Sequence, residues 1–135
     1  TPNQEEKALK AFFGFESWYA KAGMKILASE LVLVNEELQV GGTVDAIAKK
    51  DDELIVVDWK TSKGGPYPEM IVQLGAYTMM YEAAQPKAKV SHGIIMRFGK
   101  EDGKFHQHTI DRTKLDAGAQ VFKHCCALNK LRRLL

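Results

Sequence analysis

Hydrophobic and polar positions alternate along the chain with two different periods, one typical of helices and one typical of strands. Residues 4–22 carry apolar side chains at a broken helical period, and Gly23 is a natural helix stop. The apolar positions of this segment are Leu9, Phe12, Phe13, Phe15 and Tyr19. Residues 25–34 are rich in Ile, Leu and Val, and a polar cluster separates them from residues 38–49. We therefore expect a helix followed by an antiparallel hairpin.

The second half of the chain continues the alternation of strand and helix. Residues 53–60 have an apolar centre on both faces, as a central strand must, whereas residues 61–68 contain two glycines and two prolines and are predicted to be a loop. The remaining predicted elements are a helix at 69–84, a strand at 89–98, a turn at 99–103, a polar edge strand at 104–110 and a last helix from the cap Asp111 towards Leu134.

The predicted order α-β-β-β-α-β-β-α indicates an α/β fold, with a mixed central sheet of about five strands flanked by helices. Apolar residues make up 45% of the chain, which is enough for a core, and there is no repeat or linker-like stretch. We expect one domain over residues 1–135. The abrupt start at Thr1 and Pro2 suggests that the chain is cut from something longer.

Composition restricts the cellular setting. No segment approaches the roughly 20 apolar residues that span a bilayer, and the first residues lack the apolar core of a secretory signal. We expect a soluble protein of the cytoplasm or of a viral host cell, with no membrane partner. Cys125 and Cys126 are adjacent in a predicted helix and too few for a zinc or iron–sulfur site, so we interpret them as reduced, mostly buried thiols.

Charge adds little to this picture. A formal net charge of +2 is weak evidence for nucleic-acid binding. The basic residues crowding the chain end are Lys123, Lys130, Arg132 and Arg133. A solvated helix face with a basic last turn is the favoured interpretation, ahead of a phosphate-binding patch.

Two neighbouring predicted strands bring acidic and basic side chains together. Asp58 and Lys60 project from the same strand face about 7 Å apart, while Trp59 points to the other face. Burying charge at the end of an apolar strand costs several kcal/mol unless the charges are paired or bind a metal. Asp45 and Asp58 are equidistant from the intervening turn, so we expect them to be near cross-strand partners.

A divalent cation between the two carboxylates would remove their repulsion, and carboxylate oxygens are the ligands that Mg²⁺ prefers. Lys60 could then orient an attacking water or neutralise charge on a phosphate. The alternative is an ordinary surface ion pair of Asp58 and Lys60, with Asp45 capping the turn. Asp-x-Lys alone does not decide between these interpretations, because the tripeptide is common by chance.

Several residues in a fixed order strengthen the first interpretation. They are Gly42, Asp45 and Ile47, then Asp58, Lys60 and Thr61, then Gln73 and Tyr77 on the next helix. This pattern resembles the RecB-like branch of the PD-(D/E)XK nucleases, which implies a restriction-endonuclease-like core. Within that branch, the segment from Asp58 to Ser62 and the strand at Gly93 are most similar to the mitochondrial genome maintenance exonuclease and its phage and bacterial relatives.

The resemblance implies a role for each residue of the motif. Asp45, Asp58 and the main-chain carbonyl of Trp59 would bind Mg²⁺ or Mn²⁺, and Lys60 would be the catalytic base or position the water. Gln73 and Tyr77 would meet the DNA strand or brace the site. An equal alternative is that the pair has no functional role, with Gln73 at the polar edge of the helix and Tyr77 in the core.

Further residues around the motif have weaker assignments. Relatives often carry a glutamate near the metal on an earlier strand, so Glu30 is assigned as an additional or indirect ligand, with a surface position as the alternative. Thr61, Ser62 and Lys63 are assigned to DNA binding, although flexibility explains this loop equally well. Many RecB-like nucleases have an upstream histidine ligand, and residues 1–29 contain none.

The histidines that follow the motif fit no position of the family and are interpreted as surface or sheet residues. They are His92, His106, His108 and His124.

Together these features predict a Mg²⁺- or Mn²⁺-dependent deoxyribonuclease with exonuclease or flap-trimming activity in DNA repair, recombination or replication. Its expected substrate is single-stranded DNA or duplex ends, with other replication or recombination proteins as possible partners. A second hypothesis is a weak or inactive module of the same fold that binds DNA or a protein. A third is an unrelated structural α/β domain.

Overall fold

A computed structural model describes residues 1–99 and 103–135 of the protein. The helices are α1 (Pro2–Ala22), α2 (Pro68–Ala84) and α3 (Arg112–Arg132), and the strands are β1 (Lys25–Asn35), β2 (Val40–Lys50), β3 (Glu53–Ser62), β4 (Val90–Gly99) and β5 (Phe105–Ile110). The predicted order of elements is confirmed. Of the predicted turn at 99–103, Gly99 belongs to β4 and residues 100–102 lie outside the described residues.

The strands form a mixed sheet in the order β1-β2-β3-β4-β5. All neighbouring pairs are antiparallel except β3 and β4, which are parallel because α2 connects them by a crossover. Strand β5 lies at an edge, as its polar sequence predicted. The parallel pairing sets Asp58 beside Ile95 and Lys60 beside Arg97.

Each face of the sheet has its own hydrophobic core. On what we call the helix-pair face, α2 and α3 cover a cluster that includes Val56, Ile95 and Leu115. On the opposite face, which we call the α1 face, Val57 and Met96 pack with residues of α1. Asp58 and Lys60 follow Val56 by two and four positions, so both project from the helix-pair face.

Helix α1 is confirmed, but its apolar residues are not one buried face. Thr1 caps the helix and exchanges hydrogen bonds with Gln4. Leu9, Phe12 and Phe13 are each more than half exposed. The residues that pack on the sheet are Phe15 and Trp18, whose rings lie 5.7 and 5.9 Å from the ring of Trp59.

The predicted loop at 61–68 is shorter than expected. Thr61 and Ser62 continue β3 and pair with Phe98 and Gly99 of β4. Helix α2 already begins at Pro68, where proline is favoured because its missing N–H is not needed in the first turn. The connection is therefore only five residues long, 63–67, because Thr61 and Ser62 belong to β3 and Pro68 belongs to α2.

A clamp of charged side chains holds α2, α3 and β4 together. The Arg112 guanidinium donates to both carboxylate oxygens of Glu82 at 2.7 Å and to the carbonyl of Val90 at 2.9 Å. Glu82 also accepts from the N–H of Val90 at 2.9 Å. These hydrogen bonds, from Arg112 first, keep the pKa of Glu82 below its usual value despite partial burial.

Two expectations from composition can be compared with the structure. Cys125 and Cys126 are free thiols, but Cys125 is exposed and Cys126 only half-buried, so the expected burial is wrong. Among the described helices, none combines the length and apolar character that crossing a membrane requires.

Candidate active site

The hairpin of β2 and β3 brings Asp45 and Asp58 together. The register pairs Ala46 with Val57, so Asp45 and Asp58 are the next positions along the two strands. Asp45 Oδ2 accepts a hydrogen bond of 2.8 Å from the main-chain N–H of Trp59, and the Asp45 side chain also contacts that of Asp58. The two carboxylates are therefore neighbours across the hairpin, as their equal distance from the turn predicted.

Asp58 is held in an unfavourable environment for its charge. Only 4% of its side chain is exposed, and the one described donor near the buried Oδ2 is the Lys60 ammonium, which is in contact but poorly aligned for a hydrogen bond. Burial and, after it, the hydrogen bond with Asp45 raise the pKa of Asp58 to about 6. Lys60 Nζ lies 2.9 Å from Oδ2 and offsets part of this rise.

Lys60 is tied to helix α2 by a short chain of hydrogen bonds. Its ammonium donates to Gln73 Oε1 at 2.7 Å, and Gln73 Nε2 donates to the Tyr77 hydroxyl at 3.0 Å. Tyr77 is buried against Gly42, where an added Cβ would come within 2.9 Å of the ring. Gly42 thus leaves the space that Tyr77 needs to reach Gln73, and Gln73 orients the lysine.

The acidic pair fits a hard divalent cation. It offers two adjoining carboxylates, one of which has a buried oxygen that lacks a hydrogen bond, and such acceptor-only oxygens are what Mg²⁺ and Mn²⁺ bind. Residues 1–99 and 103–135 contain no group of three or more His, Cys, Asp or Glu side chains that could hold a metal. Among these described residues, the carboxylates that meet at the site are those of Asp45 and Asp58.

Glu30 is not brought to this pair. Its side chain is exposed, and its φ of 49° is unusual for a residue with a Cβ. The β1–β2 ladder skips the pair of Glu30 with Asp45, between Ser29 with Ala46 and Leu31 with Val44. The strand is distorted opposite Asp45, but the ligand role of Glu30 stays a prediction.

The other predicted site residues lie around the end of β3. The Trp59 side chain is on the α1 face, and the predicted role of its carbonyl is untested. Thr61 and Lys63 are exposed, whereas the Ser62 hydroxyl donates to the carbonyl of Gly64 at 2.6 Å. Ser62 therefore shapes the turn that follows β3, and its assignment to DNA binding remains a prediction.

A groove of about 540 Å³ opens along the helix-pair face beside Lys60. Gln73, Tyr77, Gly42 and Phe122 are among its lining residues. The groove is open to solvent and runs along α2 from Lys60, and neither Asp45 nor Asp58 lines it.

Arg97 is the neighbour of the site that the sequence interpretation missed. It pairs with Lys60 across the parallel β3–β4 ladder and projects from the same face. The signal in the sequence is a single arginine that ends the buried run from Gly93 to Met96. Only the register of the parallel strands shows that it stands beside Lys60.

The chain was compared with known protein families and structures. A family model described as the PD-(D/E)XK nuclease superfamily matches residues 1–134. A solved structure described as the crystal structure of SSO0001 is similar at 18% identity with a TM-score of 0.49, over 89% of this chain and 59% of that one. This chain thus spans less than two thirds of that protein. No curated protein matches the sequence.

Proposed function

The chain belongs to the PD-(D/E)XK nuclease superfamily, and from this premise we propose that it is a metal-dependent nuclease that hydrolyses DNA. The observation that carries the proposal is the buried, hydrogen-bond-deficient carboxylate of Asp58, held between Asp45 and Lys60. A protein retains such a costly arrangement where a ligand or a reaction uses it. Nucleases of this superfamily generally use divalent metals.

Asp45 and Asp58 would hold the cation, with the main-chain carbonyl of Trp59 as a further oxygen. When bound, the cation would supply charge for a phosphate oxygen and acidity for a water molecule. Both carboxylates must be ionised to bind it, and the two then repel each other unless the cation is present. Asp45 is kept in place by the N–H of Trp59.

Lys60 provides the second part of the mechanism. Lys60 lines the groove, and its ammonium can orient the attacking water or neutralise the charge that grows on the phosphate. Gln73 fixes the ammonium from the α2 side, so the lysine is positioned before substrate arrives. The Tyr77 hydroxyl in turn holds Gln73.

We further propose that the protein falls in the RecB-like branch, as an exonuclease or flap-trimming enzyme of DNA repair, recombination or replication. The support is the order of Asp45, Asp58, Lys60, Gln73 and Tyr77, together with the groove that lets a strand pass Lys60. Glu30, Thr61, Ser62 and Lys63 are proposed as further contacts with metal or DNA. We propose a cytoplasmic or host-cell location with other DNA-processing proteins as partners.

A second candidate function is supported by the small ligand set. Because Asp45 and Asp58 are joined by no third His, Cys, Asp or Glu within the described residues, the site could be catalytically weak. In that case the domain would bind DNA or a protein without cutting. Cleavage, or its absence, separates the two candidates.

The test is cleavage of end-labelled linear DNA and of covalently closed DNA, with Mg²⁺ or Mn²⁺ and with chelator. We expect metal-dependent cleavage that Lys60→Ala lowers at least about a hundredfold, since positioned acid–base groups contribute this much. Lys49→Ala is the matched control, because Lys49 is exposed at the opposite end of the β2–β3 pair. Equal cleavage by wild type and Lys60→Ala would refute the catalytic assignment.

A further inference from the structure

A cleft of about 330 Å³ lies between the C-terminal half of α3 and the turn that joins β1 to β2. We call it the α3 cleft. Residues 37–40 form one wall, and side chains of α3 form the other. Among the described residues, the charged groups that line it are Lys123, Lys130 and Arg133, with Glu37 as the one acid. The cleft is therefore mainly basic, and the proposed mechanism does not use it.

The cations of the cleft continue the stripe of α3 that faces the core. Helix positions three or four residues apart share a face, so Leu115, Phe122 and Cys126 belong to one stripe that leads on to Lys130 and Arg133. Leu115 is fully buried, whereas Phe122 and Cys126 are half-buried. Lys130 and Arg133 are exposed. The stripe thus changes from apolar to basic as α3 runs past the core.

The macrodipole of α3 accounts for only part of this pattern. Cations are favoured in the last turn of any helix, because the terminal carbonyls carry partial negative charge. This effect applies to Arg132 as much as to Lys130, yet Arg132 does not line the cleft. Lys123 lines the cleft although it lies two turns before the helix end. The basic residues near the chain end are therefore not one uniform solvated face.

The α3 cleft adjoins the groove beside Lys60. Val40 lines the cleft, and the next residue, Gly41, lines the groove. On α3, Phe122 lines the groove, and Cys126, one turn later on the same face, lines the cleft. The two openings thus follow each other along the same two walls. A path leads from Lys60 through the groove into the α3 cleft.

This path suits an extended strand of DNA. Met70 and Phe122 of the groove offer apolar surface against which bases can pack. The stretch of α3 from Phe122 to Arg133 is roughly 16 Å long at a rise of 1.5 Å per residue. Phosphates of a stacked strand recur about every 3.4 Å, so this length corresponds to about five of them. The cations of the cleft lie beside the last part of that path.

We propose that the α3 cleft binds the sugar–phosphate backbone of the substrate strand, several nucleotides away from the phosphate that is cut at Lys60. This inference rests on the proposed function, because it takes DNA as the substrate and places the cut at Lys60. Lys123, Lys130 and Arg133 bind phosphates, and such contacts position a strand without reading its sequence. The cleft therefore adds affinity that depends on salt but not on base sequence.

The first test measures the Kd of a labelled single-stranded oligonucleotide by fluorescence anisotropy, in chelator and over a range of salt concentrations. Lys130→Gln combined with Arg133→Gln should weaken binding about tenfold and reduce the slope of log K against log salt by about 1.4. The control combines Lys114→Gln with Arg132→Gln, which removes the same charge from exposed positions of α3 outside the cleft. It should change Kd less than about twofold.

Two adjacent cysteines give a second test in the unaltered protein. Cys126 is half-buried and lines the cleft, whereas Cys125 is exposed and does not line it. Alkylation by iodoacetamide is followed at each cysteine by mass spectrometry, with and without the oligonucleotide. Saturating DNA should slow the alkylation of Cys126 at least about fivefold. Cys125 should react at its original rate.

An equal loss of affinity in the two double variants would overturn the inference, because it would show attraction to the net charge alone. Wild-type affinity and salt slope in a folded Lys130 and Arg133 double variant would overturn it too. So would equal protection of Cys125 and Cys126, or a wild-type protein that binds no oligonucleotide. Thermal melting shows whether the variants fold, and the cysteine measurement decides the matter if they do not.

These outcomes are distinguishable from failure of the proposed function, because binding in chelator requires neither metal nor cleavage. A protein that binds DNA in the α3 cleft but never cuts it would keep this surface and lose the nuclease assignment. A protein that cuts DNA without protecting Cys126 would keep the nuclease assignment and lose this surface.

Discussion

Two pairs in this protein each join a carboxylate to a cationic side chain, but the two carboxylates are in opposite situations. Glu82 and Arg112 satisfy each other: both carboxylate oxygens accept from the guanidinium, and Val90 completes the set from both its N–H and its carbonyl. Asp58 and Lys60 are in contact at 2.9 Å, yet within the described residues the buried Oδ2 of Asp58 receives no well-aligned hydrogen bond. The first pair lowers the pKa of its acid, and the second fails to prevent a rise.

This difference separates stability from function. The Glu82–Arg112 pair joins α2, α3 and β4, and both carboxylate oxygens of Glu82 accept hydrogen bonds, as expected of a structural ion pair. The Asp58 pair sits beside a second carboxylate, that of Asp45, and its lysine lines an open groove, so a ligand can reach the lysine side of the pair. Of the two pairs, the one whose carboxylate lacks a full set of hydrogen bonds in the folded protein is therefore the better candidate for a functional site.

The largest effect that distinguishes the pairs is the pH dependence of stability without metal. Folding raises the pKa of Asp58 from 3.8 to about 6, so its protonated form favours the folded state. That contribution is fully present below pH 3.8 and is lost as pH rises through about 6, a change of up to about 3 kcal/mol. Asp58→Asn should therefore gain stability relative to wild type over this range, in urea unfolding with chelator.

Glu82→Gln serves as the control with the opposite sign. The lowered pKa of Glu82 contributes stability above the unfolded value of 4.5, which is lost as pH falls through the folded value. The destabilisation of Glu82→Gln should thus shrink in acid. If the difference in the free energy of unfolding between wild type and Asp58→Asn did not change with pH, the raised pKa of Asp58 would be contradicted.

Breaking the Glu82–Arg112 pair should lower the stability of the protein without changing its rate of DNA cleavage. Arg112→Met removes four hydrogen bonds, including one to Asp116, and leaves Glu82 half-buried without its cation, so we expect a loss of about 2 kcal/mol in urea unfolding. Lys10→Met is the control, because it breaks an exposed pair with Glu6 and should cost less than about 0.5 kcal/mol. If the folded Arg112 variant lost DNA cleavage, the division between the pairs would be wrong.

The smallest effect concerns the chain of hydrogen bonds behind Lys60. Tyr77→Phe removes the acceptor of Gln73 Nε2 and frees Gln73 to turn away from the lysine. We expect the cleavage rate to fall by about threefold to tenfold, equivalent to about 1 kcal/mol. Tyr81→Phe, on the same helix, should cleave like wild type. Equal rates for both variants would show that Gln73 does not depend on Tyr77.

The local sequence pattern was sufficient to predict the helices and strands and the relative positions of Asp45, Asp58 and Lys60. The apolar runs and the turns gave the order of helices and strands, and the two-residue period placed Asp58 and Lys60 on one face. Equal spacing from a short turn placed Asp45 beside Asp58. These are relations within one strand or one hairpin, where sequence distance determines spatial distance.

Relations that depend on long-range packing were not predictable in this way. The pairing of Arg97 with Lys60 depends on the register of two parallel strands joined through a helix. Thr61 and Ser62 belong to β3 because β4 supplies their partners, although the nearby glycines and prolines favour a loop. In α1 the period indicated a helix, but only the neighbouring Trp59 determines that Phe15 packs while Phe12 stays exposed.

The most direct test of the account is a calorimetric titration of the protein with Mn²⁺ at neutral pH. The unsatisfied carboxylate of Asp58 should bind the cation together with Asp45, so Asp58→Asn should lose at least about tenfold in affinity, whereas Glu82→Gln should bind like wild type. Absence of Mn²⁺ binding by wild type, or equal binding by Asp58→Asn, would contradict the assignment of this pair as a metal site.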